Sequence, residues 1–188
     1  MEICKTIFLD ILISQLYNLY GDYMFKNFSI FFIIFTSVFS FLFTNSSKNN
    51  EVDYLKPIDL DYISSYFGYR EIYGKSNFHD GIDYPAPENT PVYATKSGII
   101  TNASFLTGYG NTVIILHSDG TKSLYGHLSE FFLVHSGQTI SQGELIGKVG
   151  PKYLSNAKLN GFTTGPHLHF TIFNENGKQI NPLSVNLK

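Results

Sequence analysis

The chain has 188 residues, enough for one domain and an additional segment, and its formal net charge at pH 7 is −2. No block of like charges occurs in the sequence, which argues against nucleic acid as a partner, because nucleic acid selects concentrated positive charge. Cys4 is the only cysteine, so a disulfide within the chain is excluded.

The N-terminal part contains one long apolar stretch. Residues 27–47 carry no charged side chain, and the apolar core covers about residues 28–43. This length lies between the ~7–15 residues of a signal-peptide core and the ~20 residues of a membrane-spanning helix. We predict that residues 1–44 form a leader with a hydrophobic helix, which serves as a signal peptide or as a membrane anchor. Met24 is an alternative start, because Lys26 would then open an ordinary leader.

The remainder of the chain is predicted to be a polar linker followed by one domain. Residues 45–56 begin with an Asn-, Ser- and Lys-rich stretch typical of a tether. In residues 57–188, short β-prone runs alternate with Gly, Pro, Asn and Asp turns, and no long segment has a helical period. The predicted fold class is therefore all-β, with antiparallel sheets.

Two histidines stand at alternate positions in a predicted strand. His167 and His169 precede and interrupt an apolar run that continues to Phe173. Side chains on a strand alternate between faces with a period of two, so both imidazoles are expected on the same face. Such a pair is half of a metal site, or a metal ligand beside an acid–base group.

A second motif lies about ninety residues upstream. His79 and Asp83 have H-x-x-x-D spacing, which keeps them on one face of an extended or slightly bent segment. With one histidine of the H-x-H pair, they would supply two nitrogen ligands and one oxygen ligand, the usual number at a catalytic zinc. Imidazole and carboxylate suit Zn²⁺, whereas Mg²⁺ and Ca²⁺ favour sites built mainly from oxygen. We therefore expect one Zn²⁺ per chain.

Of the other three histidines, one is a candidate site residue and two are not expected to belong to the site. His127 follows a strand-like run within Tyr-Gly-His-Leu-Ser. Together with a histidine of the H-x-H pair, it is expected near the metal, where it could accept a proton or stabilise charge on an attacked carbonyl. His117 precedes a Ser-Asp-Gly turn and His135 precedes Ser-Gly, so both are interpreted as turn or surface residues.

The order of these motifs resembles the M23 family of zinc metallopeptidases, the lysostaphin/LytM-type peptidoglycan endopeptidases. The resemblance covers about residues 60–185 and is most specific at residues 164–170, TGPHLHF. Further similar motifs are residues 65–70 (SYFGYR), 78–84 (FHDGIDY), 90–94 (TPVYA), 97–100 (SGII), 108–111 (GYGN), 125–129 (YGHLS), 137–140 (GQTI), 143–147 (GELIG) and 181–182 (NP).

The resemblance implies a LytM/lysostaphin-type catalytic domain and assigns roles to the site residues. His79, Asp83 and His169 would bind zinc, and His127 and His167 would be the catalytic pair beside the metal. The implied reaction is hydrolysis of amide bonds in the peptide cross-links of peptidoglycan during cell wall remodelling. The implied location is the bacterial cell envelope, either anchored in the membrane through the N-terminal segment or exported after signal cleavage.

Three positions need separate comment. Tyr73 is a weaker candidate for contact with an oxyanion, beside a plain packing role. The family often has Glu where this chain has Thr171, on the same strand face as His169, so a contact behind the metal ligand is expected to differ. The segment 151–164 is longer than the short family turn, and we hypothesise that it forms a wall of the substrate groove.

Two alternatives to an enzyme remain at this stage. The first is a non-catalytic LytM-like module that binds or activates other cell wall hydrolases. The second is a structural envelope protein that uses a metal only for stability. The presence of His79, Asp83, His127, His167 and His169 argues for the enzyme. A regulatory partner is left open.

Overall fold

The computed structural model of the protein describes Ile11, Ser14, Gln15, residues 54–72 and residues 74–188. The compact unit that contains the β-structure runs from Asn50 to Lys188. The predicted hydrophobic helix, most of the predicted linker and Tyr73 lie outside the described residues, and the predicted domain boundaries stay predictions. Within the described part, no helix has the length and apolar character needed to cross a membrane.

Residues 54–72 and 74–188 form eleven β-strands and one short 3-10 helix, which confirms the predicted all-β fold. Every paired strand runs antiparallel to its neighbours. In chain order the elements are β1 (Gly68–Ile72), β2 (Lys75–His79), β3 (Ile82–Pro85), β4 (Pro91–Tyr93), β5 (Gly98–Leu106), β6 (Gly110–His117), β7 (Lys122–Gly126), β8 (Thr139–Ile140), β9 (Leu145–Lys148), β10 (His167–Phe173), β11 (Gln179–Ile180) and the 3-10 helix Pro182–Ser184.

One seven-stranded sheet carries most of the structure. Its strand order is β11-β10-β7-β6-β5-β8, and β3 pairs with β10 beside this path. Strands β1 and β2 form a separate hairpin, and β4 pairs with β9. Strand β10 is thus bordered by β7 along one edge and by β3 and β11 along the other, so it is an interior strand.

Alternation along β10 separates the core from the site. Leu168, Phe170 and Ile172 belong to the hydrophobic core and have no exposed surface. Of the intervening positions, His167 and His169 face the opposite side and line a cavity. The H-x-H pair therefore lies on one face, as the sequence pattern predicted, and the core on the other face holds that strand in place.

The register of β10 brings two other strands to His169. Asp83 of β3 is directly opposite His169 on one edge, and Gly126 of β7 is opposite it on the other. His127 follows Gly126 immediately, so it leaves β7 beside the same point. Since a slip of one residue would turn these side chains to the other face, the sheet register itself determines the site.

The interpretation of His117 as a turn or surface residue is wrong, whereas that of His135 as exposed is confirmed. His117 is the last residue of β6, and it continues the alternation of Val113 and Ile115 into the interior. The imidazole is 3% exposed, and its two nitrogens lie 2.9 Å from the carbonyl oxygen of Ser97 and 3.0 Å from Oγ of Ser123. These hydrogen bonds offset the free-energy cost of burying the polar imidazole.

A glycine at the start of β6 packs tightly against the 151–164 segment. Gly110 has φ of +70°, and an added Cβ would lie 2.3 Å from Oδ1 of Asn160. Gly137 has φ of +88° but open space around its Cα.

We expect Gly137→Ala to lower the free energy of unfolding by about 1–2 kcal/mol, the cost of a left-handed backbone conformation for a residue with a Cβ. Gly110→Ala should lower it by clearly more, because steric overlap is added.

Urea denaturation of the two variants and the wild type measures this difference. Equal losses for Gly110→Ala and Gly137→Ala would show that Asn160 does not pack against β6 as described.

Candidate metal centre

Three buried electron-pair donors meet where β2, β3 and β10 come together. Nε2 of His79 lies 3.1 Å from Oδ1 of Asp83 and 3.1 Å from Nδ1 of His169. Nδ1 of His169 lies 2.9 Å from the same carboxylate oxygen. The structure thus brings together the three residues that the sequence predicted as metal ligands.

Hydrogen bonds behind the ligands orient their lone pairs toward one another. Nδ1 of His79 lies 3.0 Å from the carbonyl oxygen of Tyr66, an acceptor, so this nitrogen carries the proton and Nε2 is free. Nη1 of Arg70 lies 3.4 Å from Oδ2 of Asp83, which leaves Oδ1 for the centre. A ligand histidine that donates its far N–H to the protein is typical of metal sites.

The electrostatics of the centre favour a positive charge. Burial by itself raises the pKa of the Asp83 carboxyl, but the adjacent imidazoles of His169 and His79 outweigh it and hold the pKa far below its usual range. Burial by itself lowers the pKa of His169, but hydrogen bonds to Asp80 and Asp83 raise it. Both carboxylates therefore favour positive charge at this centre, and a divalent cation would supply it.

The donor set fits zinc. Two imidazoles and one carboxylate are the ligand types of open catalytic zinc sites, and no cysteine, which closed structural sites usually contain, lies among them. Zinc with bonds of ~2.0–2.1 Å separates tetrahedral ligand atoms by about 3.3 Å. The observed separations of 2.9–3.1 Å are a few tenths of an ångström shorter, so a small outward movement of three side chains would admit the ion.

The two remaining predicted residues lie beside this centre with their rings in contact. The ring centroids of His127 and His167 are 4.6 Å apart. Nδ1 of His127 lies 2.6 Å from the carbonyl oxygen of Asn160, and Nδ1 of His167 lies 2.8 Å from that of Gly165. Both Nδ1 atoms therefore donate, and both Nε2 atoms are left as proton acceptors. Nε2 of His167 is 3.6 Å from Oδ1 of Asp83.

Burial makes both of these histidines weak bases. Burial, followed by the charges of His167 and His169, lowers the pKa of His127 to about 3. Burial also lowers the pKa of His167, in spite of the nearby Asp83. At neutral pH the two imidazoles are therefore uncharged, which is the form that accepts a proton.

The backbone at His127 is strained and held in place from several sides. Its φ is +57°, a left-handed conformation that costs about 1–2 kcal/mol for a residue with a Cβ. The amide of His127 donates to the carbonyl oxygen of Tyr109 at 2.7 Å, and its carbonyl accepts from the amide of Gly150 at 2.8 Å. Strain maintained by such contacts is common at functional sites.

Asn160 connects His127 to the segment 151–164. Its side chain accepts from the amide of Asn111 at 2.9 Å and donates to the carbonyl oxygens of Leu128 at 2.9 Å and Pro151 at 3.2 Å. Its own carbonyl accepts from His127. Asn160 is fully buried, so these bonds fix the segment against the sheet.

The centre opens into a cavity of about 650 Å³. The β1–β2 hairpin contributes one wall, with Phe78 and Ile72. The segment 151–164 contributes Leu159 and Phe162 to another, which supports the hypothesis that it forms a wall of the groove.

Sequence reasoning missed several residues that support the site. Asp80 lies between the two ligands of the H-x-x-x-D motif, so the sequence alone could have indicated an acidic residue close to the metal. Arg70 stands in a motif already singled out, but its contact with Asp83 depends on the β1–β2 hairpin. Asn160 lies in an irregular loop, and no local pattern indicates its role. Tyr109 lies in the turn before β6, which sequence alone does not place next to the centre.

The sequence profile of Peptidase family M23 matches residues 77–182, which include all five predicted site residues. The chain belongs to peptidase family M23. A relative in Neisseria meningitidis serogroup B, the DD-carboxypeptidase/endopeptidase Mpg, is 42% identical over 135 residues. The alignment covers 71% of this chain and 29% of the relative, so the chain spans less than a third of the length of these curated relatives.

Solved structures of M23 peptidases have the same fold. A zinc containing peptidase from Vibrio cholerae is 29% identical with a TM-score of 0.56, over 73% of this chain and 39% of that one. The catalytic domain of the antimicrobial peptidase lysostaphin from Staphylococcus simulans is 31% identical with a TM-score of 0.53, over 66% of this chain and 88% of that one. The predicted LytM/lysostaphin-type fold is thereby confirmed.

Proposed function

We propose that this M23 chain is a zinc-dependent endopeptidase that hydrolyses amide bonds in the peptide cross-links of peptidoglycan. The observation that carries the proposal is the convergence of Nε2 of His79, Oδ1 of Asp83 and Nδ1 of His169 at separations of 2.9–3.1 Å. The name of a relative in Vibrio cholerae, the peptidoglycan DD-endopeptidase ShyC, supports peptidoglycan peptides as the substrate class.

In this proposal His79, Asp83 and His169 hold the zinc. Bound there, Zn²⁺ supplies Lewis acidity, which polarises the scissile carbonyl and lowers the pKa of a water molecule toward ~7. Arg70 helps to orient Asp83 through its contact with Oδ2. The open side of the centre is the cavity, from which a peptide would approach.

His127 and His167 handle the proton and the developing charge. Each presents a neutral Nε2 next to the centre, because each Nδ1 donates to a backbone carbonyl. Nε2 of one ring can accept a proton from the attacking water and return it to the leaving amine. Either ring can donate to the oxyanion only once it is protonated, because Nε2 then carries an N–H. The contact between the rings, with centroids 4.6 Å apart, places both groups within reach of one carbonyl.

This function locates the domain in the bacterial cell envelope, where its substrate is found. The predicted leader at residues 1–44 agrees with export or anchoring. Both the membrane association and any regulatory partner belong to the proposal rather than to the described structure.

The test uses the full-length protein with one equivalent of Zn²⁺ and purified peptidoglycan, followed by mass spectrometry of the released muropeptides. We expect His169→Ala to lose zinc and cleavage together. His127→Ala and His167→Ala should retain zinc but lose cleavage by ~10²–10⁴-fold, the usual contribution of general acid–base groups. His135→Ala, which alters an exposed histidine, is the matched control and should behave as the wild type.

Two outcomes would contradict the proposal. A wild type without zinc or cleavage would favour the non-catalytic module. Zinc binding with full function in His127→Ala and His167→Ala would favour a purely structural metal.

The segment 151–164 offers a test of substrate selection. Phe162 is 85% exposed and lines the cavity, whereas Phe131 is 83% exposed and lies outside the cavity lining. We expect Phe162→Ser to raise KM for a cross-linked peptide roughly fivefold to tenfold, the loss of about 1–1.4 kcal/mol of apolar contact. Phe131→Ser removes a ring of equal exposure and should leave KM unchanged. Equal effects of the two changes on steady-state kinetics would exclude a specific role for the segment.

A further inference from the structure

The ring of His169 has polar partners on both of its nitrogens. Nδ1 faces the proposed metal position, and Nε2 lies 2.9 Å from Oγ1 of Thr171 and 3.2 Å from Oδ1 of Asp80. For Nδ1 to offer a lone pair to a metal, the proton of the neutral ring must be on Nε2. Whichever group accepts that proton in a hydrogen bond decides whether His169 can be a ligand.

The two partners of Nε2 differ in chemistry. The hydroxyl of Thr171 both donates and accepts, so it would satisfy either tautomer of the ring. An ionised carboxylate only accepts, so Asp80 favours the tautomer with the proton on Nε2. The Asp83 carboxylate, 2.9 Å from Nδ1, favours a proton on that nitrogen instead, so Asp80 is the carboxylate that counters Asp83 and favours a free Nδ1.

Asp80 is itself held in position by donors from two other elements. The phenol of Tyr109, in the turn before β6, donates to Oδ2. The side-chain amide of Gln179, on β11, donates to the same oxygen at 3.2 Å. With Oδ2 occupied by these two donors, Oδ1 is the oxygen that faces His169.

Tyr109 joins this arrangement to the catalytic pair. Its ring packs against that of His169 with centroids 5.5 Å apart, and its backbone carbonyl accepts from the amide of His127. One turn residue thus supports both a proposed metal ligand and a proposed proton-transfer residue. A displacement of Asp80 would therefore be transmitted to His169 directly and to Tyr109 through the phenol.

We propose that Asp80 is a positioning residue for the metal centre: its carboxylate accepts the Nε2–H of His169 and thereby fixes the ring orientation and tautomer that leave Nδ1 to bind zinc. The inference rests on the proposed zinc site and assigns that site a carboxylate–histidine–metal arrangement. Such supporting partners typically contribute a factor of ~10–100 to metal affinity.

The experiment compares the full-length wild type with Asp80→Asn, Thr171→Val and Glu175→Gln. Asp80→Asn keeps the shape but replaces one acceptor oxygen with a donor. Glu175→Gln removes an exposed carboxylate elsewhere and is the control. Zinc affinity is measured by competition with a chromophoric chelator. The tautomer of His169 is measured by ¹⁵N NMR of the metal-free protein at a pH where the ring is neutral.

We expect Asp80→Asn to weaken zinc binding ~10–100-fold and to reduce the population of the Nε2–H tautomer. Thr171→Val should retain that tautomer, and Glu175→Gln should match the wild type in both measurements. Wild-type affinity and an unchanged tautomer in Asp80→Asn would overturn the inference. So would loss of the tautomer in Thr171→Val alone, since the positioning would then belong to the hydroxyl.

The two readouts separate this inference from the proposed function. If the wild type bound no zinc, the proposed function would fail, but the NMR measurement on the metal-free protein would still decide the role of Asp80. If the wild type bound zinc and cleaved peptidoglycan while Asp80→Asn behaved identically, only the role of Asp80 would fail. Thermal denaturation of the metal-free variants shows whether an affinity change comes from misfolding.

Discussion

The structure depends on one electrostatic constraint: His79, Asp83 and His169 bring a carboxylate oxygen and two imidazole nitrogens within 3.1 Å of one another in the interior. Buried donors of electron pairs at this distance repel unless a positive charge lies between them. A proton shared within this cluster would meet that requirement without a metal, and zinc would meet it when bound. The fold must therefore hold three strands in register around a position that a cation occupies.

Two parts of the fold supply that rigidity. On the far face of β10, the apolar side chains of Leu168, Phe170 and Ile172 anchor the strand in the core. On the near face, each of the four histidines of the site has one nitrogen close to a protein acceptor: the Tyr66, Asn160 and Gly165 carbonyls, or the side chains of Asp80 and Thr171. Because that nitrogen is held by its acceptor, the other nitrogen of each ring faces the centre. Little reorganisation of the rings is therefore needed when a metal and a peptide bind.

Much of this arrangement could be predicted from the sequence, and the reasons for success and failure are physical. The shared face of His167 and His169 follows from the period of a strand, and their contact with His79 and Asp83 follows from the family's motif order. The same alternation, continued one step further, places His117 inside, where the nearby turn residues suggested the surface. Asn160 could not be predicted, because its role arises from contacts with Asn111 and Leu128, in two segments distant in sequence.

The most direct test of the central claim is a crystal structure of the zinc-loaded protein with anomalous diffraction measured on both sides of the zinc absorption edge. We expect one anomalous peak per chain, bonded to Nε2 of His79, Oδ1 of Asp83 and Nδ1 of His169, with the rings of His127 and His167 nearby but not bonded. A peak bonded to His127 or His167 in place of His169, or no peak at this position, would contradict it.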